Sequence, residues 1–243
     1  MASNPVLNEG AFERAQQNIR SANDVMTLQG TINKTFFLLF LCIVGGMLSW
    51  TNYTMWFSYL TPISIVALII GFITAFKPNF SPITAPIYSF LQGLLLGAVS
   101  AAYNVRFQGI VFNAVAITIL VFFFMLFIYR SGIIKVTKSF RTAIISATAA
   151  IFVLYLGSWL LSLFGVNTAY LTSSSPLSIG ISVVVCIVAA FNFLLDFDFI
   201  DQMTGRFAAP KFMEWYAGFG LIVTLIWLYI EILKLLGKTQ SRR

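Results

Sequence analysis

Three of the eight acidic residues in this chain stand within six positions of one another, at the end of an apolar run. They are Asp196, Asp198 and Asp201, in the string LLDFDFID. A carboxylate can take up a proton or attract a cation, but a charged Asp at the centre of a spanning helix costs about 2.5–3.5 kcal/mol. We therefore expect this cluster to carry function.

Helical geometry separates the three aspartates. At about 100° per residue, Asp198 and Asp201 share a face, whereas Asp196 points away from both and lines up with Asn192 one turn deeper. With the helix predicted to end at Ile200, Asp196 lies about 7 Å from that end. We interpret Asp198 and Asp201 as interfacial charges and Asp196 as the buried, proton-sensitive residue, with Asn192 as its polar neighbour.

Two further acids, Glu214 and Glu231, lie in the last apolar segment. Glu214 starts on the membrane side where the preceding segment ends, so we expect it to approach Asp198 and Asp201 in an acidic mouth that concentrates cations. The helix dipole alone also favours an acid in a first turn. Glu231 precedes Lys234 by three residues, so a local ion pair is its default explanation.

The composition determines which class of protein holds these acids. Hydrophobic residues make up 59% of the chain and charged residues 9%, against about 25% charged in a soluble domain. The sequence predicts an all-α, polytopic membrane bundle of seven spanning helices, between a polar tail at 1–34 and a basic tail at 237–243. The predicted spans are Thr35–Trp50, Phe57–Phe76, Ile83–Asn104, Ile110–Tyr129, Thr142–Phe164, Leu177–Ile200 and Glu214–Leu236.

Several functional classes are disfavoured by what the chain contains. It has no histidine, which excludes His-ligated zinc, a Ser-His dyad and an imidazole pH switch. Its two cysteines, Cys42 and Cys186, stand alone in apolar segments and indicate small core residues. We expect no enzymatic activity, no cofactor and no tightly bound metal, and we attribute the net charge of +7 to loops, not to nucleic-acid binding.

The third segment carries a smooth stripe of small residues. Ser89, Gly93, Gly97 and Ala101 recur at every fourth position and include a GxxxG pattern. Such stripes let helix backbones approach closely within a membrane. We favour packing within the chain over a dimer interface.

The distribution of basic residues predicts an orientation, because Lys and Arg collect in cytoplasmic loops. Ten of the fifteen fall on the side of the N-terminus, which favours a cytoplasmic N-terminus and a C-terminus across the membrane. The basic C-terminal tail argues the other way, and a re-entrant last segment would put both ends in the cytoplasm. The ten are Arg14, Arg20, Lys34, Lys77, Arg130, Lys135, Lys138, Arg141, Arg206 and Lys211; the others are Arg106, Lys234, Lys238, Arg242 and Arg243.

Three regions of the chain resemble one known family. They are MTLQGTINKT (Met26–Thr35), YSFLQGLLLG (Tyr88–Gly97) and the final pair LLDFDFID…EWYAGFGLIVTLIWLYIEILKLL. Together with seven spans of matching length, they resemble the Bax inhibitor-one superfamily, also called the transmembrane Bax-inhibitor-motif proteins, and most closely its bacterial branch.

The resemblance implies a seven-helix bundle whose last helix is surrounded by the other six, in a bacterial inner membrane. Characterised relatives act as pH-sensitive calcium leak channels, and eukaryotic members suppress cell death. In the family, an Asp of helix six pairs with an Asp of helix seven, and a basic residue between helices two and three can latch onto the pair. By resemblance, Asp196 is the helix-six acid, in the string Asp196–Ile200, and the latch falls near Lys77.

The helix-seven partner is left open between alternatives. The family's Leu-Tyr-Leu-Asp string matches Leu228–Glu231, whereas aligning the helix ends places the partner near Val223 or Thr224. The third alternative is an acid on the same membrane side as the end of the sixth segment: Asp198, Asp201 or Glu214.

We hypothesise a pH-sensitive leak of cations, with calcium as the permeating ion and a transient cation near Asp196. The alternative is a non-conducting membrane scaffold, or a regulator of stress or quality control, that works through a membrane-protein partner. An intramembrane hydrolase with paired aspartates would need two acids that face each other on separate helices.

Overall fold

The structure, a computed structural model, describes residues 25–165, 171, 173–205 and 209–242. These ranges hold seven helices long and apolar enough to cross a membrane, which confirms the predicted all-α, seven-span architecture. One β-bridge, between Val25 and Pro210, joins the segments that lead into the first and last helices. Most of the tail predicted at 1–34 lies outside the described residues, as do Arg14, Arg20, Arg206 and Arg243.

The helices are numbered α1 to α7 in chain order. A short 3-10 turn, Pro78–Phe80, leads into α3. The helices are α1 Leu28–Thr51, α2 Tyr53–Phe76, α3 Ser81–Arg106, α4 Ile110–Ser131, α5 Lys138–Leu163, α6 Pro176–Gly205 and α7 Met213–Gln240.

Most helices extend beyond the predicted spans, and at three ends polar residues continue or cap the helix. The first helix begins seven residues early, at Leu28, where Thr27 Oγ1 accepts a hydrogen bond from Gly30 N at 2.9 Å as its N-cap. Helix α6 continues past Ile200 to Gly205, and α7 extends into the predicted basic tail. Hydropathy shows only where the apolar run stops. A helix can continue into polar residues, because side chains or water can pair with the backbone N–H and C=O groups left free at its ends.

The smooth stripe of α3 packs against α1 within the chain, as expected from its small residues. The backbone oxygens of Cys42 and Gly46 occupy the positions that a Cβ atom on Gly93 and on Gly97 would need. Gly45 makes the reciprocal contact, with Phe90 of α3. The two backbones therefore touch over two turns, and any larger side chain there must push the helices apart.

The last helix is the most buried of the seven spans, whereas α2 and α5 are the least buried. Its backbone packs closely against α1, α3, α4 and α6. Side-chain contacts also link it to α2, through Tyr216 and Ala75, and to α5, through Tyr155, which contacts Glu231 and Lys234. Large apolar side chains are exposed on the outer helices, as expected of surfaces that face lipid.

Candidate functional site

Asp196 lies at the contact between α6 and α7. The residue is only 1% exposed, and its Oδ2 accepts a hydrogen bond from the Thr224 hydroxyl at 2.7 Å. The same hydroxyl lies 3.3 Å from the carbonyl oxygen of Gly220, one turn earlier in α7. Because the distance to the carboxylate is the shorter of the two, we assign the hydroxyl proton to the bond with Asp196. This hydrogen bond joins α6 to α7.

The site lies farther from the end of α6 than the sequence predicted. Because α6 runs on to Gly205, Asp196 is nine residues from the helix end, or about 14 Å at 1.5 Å per residue, instead of about 7 Å. Thr224 is eleven residues into α7, about 16 Å from its start at Met213. The contact therefore falls well inside the spanning part of both helices.

A polar track continues from Asp196 towards α5. Asn192, one turn away on the same helix, is 3% exposed. Its amide nitrogen donates to Thr148 Oγ1 at 2.9 Å and to the carbonyl oxygen of Val188 at 2.9 Å. Asn192 is therefore the buried polar neighbour that the spacing predicted, and polar side chains run from α5 through α6 to α7.

The other two aspartates lie outside this track. Asp198 Oδ2 is 2.6 Å from the Arg141 guanidinium of α5 and accepts a second bond from Gln202 at 2.8 Å. Asp201 is exposed. The ion pair neutralises the negative charge by which Asp198 was expected to concentrate cations. Arg141 is therefore the ion-pair partner of Asp198, whereas the sequence analysis used Arg141 only in counting basic residues for the orientation.

Glu214 anchors the beginning of α1 and does not approach Asp196. Its carboxylate accepts hydrogen bonds from the Thr27 amide and the Thr27 hydroxyl, both at 2.9 Å, and forms an ion pair with Lys34. A Cβ atom on Gly30 would overlap this carboxylate. Thr224 is ten residues further along α7, a rise of about 15 Å. The acidic mouth of Asp198, Asp201 and Glu214 stays a prediction, and the ion pair with Lys34 offsets the charge that Glu214 would bring to it.

Glu231 forms the ion pair with Lys234 that the spacing predicted, at 3.0 Å. It is 1% exposed, and it also accepts a hydrogen bond from the Tyr155 hydroxyl of α5 at 2.9 Å. Seven residues separate it from Thr224, a rise of about 10 Å along α7. It cannot be the residue that contacts Asp196, so the partner inferred from the Leu228–Glu231 string is wrong.

The helix-seven residue at the site is thus a threonine and not an acid. The alignment of helix ends pointed to Thr224 or its neighbour Val223, and the hydrogen bond selects Thr224. Asp198 and Glu214 have cationic partners on other helices. The contacts described here bring together the buried carboxylate of Asp196, the hydroxyl groups of Thr224 and Thr148 and the amide of Asn192. The carboxylate can take up a proton, and the oxygen atoms of the group can bind a cation.

The residue proposed as a basic latch, Lys77, caps the C-terminal end of α2 and is exposed. Within the ranges that the structure describes, it forms no ion pair, whereas Arg141 contacts the α6 acid cluster. The latch assignment to Lys77 therefore has no contact to support it. The contact of Arg141 with Asp198 could not be inferred from the family motif, because that motif lies between helices two and three and Arg141 lies at the start of α5.

Comparison with known proteins agrees with this architecture. The profile of the family described as Bax inhibitor 1 like matches residues 4–241. No curated protein matches the chain. Because the match spans nearly the whole sequence, including all seven helices and the site at Asp196 and Thr224, the chain belongs to the Bax inhibitor 1 like family.

Proposed function

We propose that this protein is a pH-sensitive cation leak channel, with calcium as the conducted ion, in which the protonation state of Asp196 controls the contact between α6 and α7. The choice of calcium comes from the family resemblance. The observation that supports the proposal is the Thr224 hydroxyl donated to the buried Asp196 carboxylate at 2.7 Å. A change in charge at this position acts directly on a helix interface.

The charged groups around Asp196 limit which residue can respond. On α6, Asp198 is held by Arg141 of α5. On α7, the nearest acids are Glu214, held by Lys34 of α1, and Glu231, held by Lys234. Each of these three acids is therefore already engaged in an ion pair. We take Asp196 as the proton acceptor because Thr224 contacts it through a hydroxyl that can either donate or accept, so this contact can rearrange when a proton binds.

Protonation changes what this contact can do. The ionised carboxylate only accepts hydrogen bonds, whereas the protonated acid also donates one. A neutral Asp196 would release the Thr224 hydroxyl to Gly220 and would weaken the charge that attracts a passing cation. Cation occupancy near Asp196 and the separation of α6 from α7 would then vary together with pH.

The proposed location is a bacterial inner membrane with a cytoplasmic N-terminus. The bacterial membrane comes from the family resemblance, and the orientation from the excess of Lys and Arg on the N-terminal side. A scaffold function receives less support, because the smooth stripe around Gly93 and Gly97 is already covered by α1 and so is not a surface for a partner.

Flux measurements on the reconstituted protein test this proposal. Liposomes loaded with a calcium indicator should show a calcium flux that changes between pH 6 and pH 8, and Asp196→Asn should remove that change. Asp201→Asn, which alters an exposed acid on the same helix, is the matched control and should keep the pH response. A flux that is equal at both pH values in the unmodified protein, or unaltered by Asp196→Asn, would rule out the gating role.

A further inference from the structure

A second feature lies at the opposite end of α7 from Glu214. The ends of α3, α5 and α7 surround an open cavity of about 580 Å³. Three basic residues line it: Arg106 at the end of α3, and Lys234 and Lys238 in the last turns of α7. The described lining residues include no Asp or Glu. The cavity is therefore a concave surface of positive charge.

These three cations are only partly compensated. Lys234 contacts Glu231 at 3.0 Å, the single carboxylate in contact with them among the described residues. Lys238 donates to neutral oxygens, the Leu171 carbonyl at 2.6 Å and the Ser182 hydroxyl at 2.7 Å. The guanidinium of Arg106 lies 5.3 Å from the centre of the Phe107 ring. Two positive charges therefore exceed the carboxylate charge at this cavity.

The cavity also has the shape and the neutral donors of a binding site. Its volume lies within the range of about 300–1,000 Å³ that is usual for small-ligand pockets. The hydroxyl groups of Ser174, Ser241 and Tyr103 belong to its lining. Guanidinium, ammonium and hydroxyl groups on one concave wall are the donors that recognise phosphate oxygens.

The level of the cavity also suits a phosphate. It lies at the ends of membrane-spanning helices, where basic side chains extend towards lipid headgroups, and the exposed Trp159 on its rim is typical of that level. We propose that this cavity binds a phosphate group, carried either by an anionic phospholipid or by a soluble phosphate ester.

Compensation of the helix dipoles is the competing explanation, since cations near helix C-termini are stabilising without any ligand. It accounts for one basic residue in the last turn of a helix. It does not require three of them to line the same cavity with several hydroxyl groups. The two explanations differ in one measurable property, which is the affinity for phosphate.

Binding to the full-length protein distinguishes them. Calorimetry in detergent at low salt would measure the binding of glycerol phosphate and of inorganic phosphate. Native mass spectrometry would compare how much phosphatidylglycerol and how much phosphatidylcholine stays bound to the protein. Arg106→Gln should lower the affinity for whichever phosphate compound binds at least about tenfold, as expected when a charge-assisted hydrogen bond is lost. Arg106→Lys should recover part of the affinity. Lys211→Gln, which removes an exposed charge before α7, is the matched control and should bind like the unmodified chain.

Each outcome decides the matter. Binding of phosphatidylglycerol without binding of glycerol phosphate identifies a lipid as the source, and binding of both identifies a general phosphate site. The proposal is overturned if the unmodified protein binds neither, if Arg106→Gln binds as tightly as the unmodified protein, or if Lys211→Gln loses as much affinity as Arg106→Gln. Because binding is measured without ion flux, the result is independent of the proposed channel function.

Discussion

The ends of α7 and its middle differ in how they take part in carboxylate contacts. At each end a buried glutamate contacts a lysine, Glu214 with Lys34 and Glu231 with Lys234. In the middle, Thr224 donates its hydroxyl to Asp196. The ion pair of Glu214 with Lys34 attaches one end of the helix to α1, and the hydrogen bond from Tyr155 to Glu231 attaches the other to α5. In the proposed mechanism the central contact changes when Asp196 takes up a proton, so the same helix would combine two fixed ends with a middle that responds to pH.

The largest loss of stability is expected at the Glu214 end. Glu214→Ala removes an ion pair and two hydrogen bonds to Thr27, and it leaves Lys34 without its carboxylate. We expect the free energy of unfolding to fall by about 3 kcal/mol, measured by denaturation in detergent. Asp201→Ala, at an exposed acid, is the control. Equal losses in the two variants would show that the Glu214 contacts do not fix α1.

A smaller loss is expected when the central donor is removed. Thr224→Val keeps the shape of the side chain but leaves Asp196 without the hydroxyl, at a cost of about 1–3 kcal/mol. The matched control is Thr239→Val, because Thr239 is an exposed α7 residue whose hydroxyl bonds only to its own helix. The same denaturation measurement applies. If Thr224→Val were no more destabilising than the control, the hydrogen bond between α6 and α7 would have no energetic weight.

The far end of α7 should respond more weakly than the near end. In Glu231→Gln the amide oxygen can still accept from Tyr155, and Lys234 is 39% exposed and stays hydrated. We expect a loss of about 1 kcal/mol or less, decreasing at high salt. Denaturation in low and high salt measures this, with Lys234→Gln as the reciprocal variant. A loss as large as that of Glu214→Ala would contradict the difference between the two ends.

The smallest change in stability is expected at Asp196, together with the largest change in pH response. Asn has the size of Asp, and its oxygen can accept the Thr224 hydroxyl, so Asp196→Asn should cost less than about 1 kcal/mol. Its calcium flux should no longer vary with pH. Measuring stability and flux on the same preparation separates the two effects. A variant that unfolds, or one that keeps its pH response, would remove the distinction between the middle and the ends.

The sequence was most informative where a single helix sufficed. The number and order of the spans, the alignment of Asn192 with Asp196 and the pairing of Glu231 with Lys234 all follow from spacing along one helix. It was least informative about contacts between helices. The pairing of Asp198 with Arg141 and of Glu214 with Lys34 depends on residues 57 and 180 positions apart.

Composition and periodicity alone therefore determined that this chain forms seven apolar helices, and which residues share a face on each of them. Only the tertiary structure decided that Asp196 meets Thr224, because that contact depends on how far α6 and α7 slide along each other. A shift of one turn, about 5.4 Å, would place a different residue opposite the carboxylate. Side-chain spacing within a helix is set by backbone hydrogen bonds, whereas the register between helices is set by the packing of every side chain along the interface.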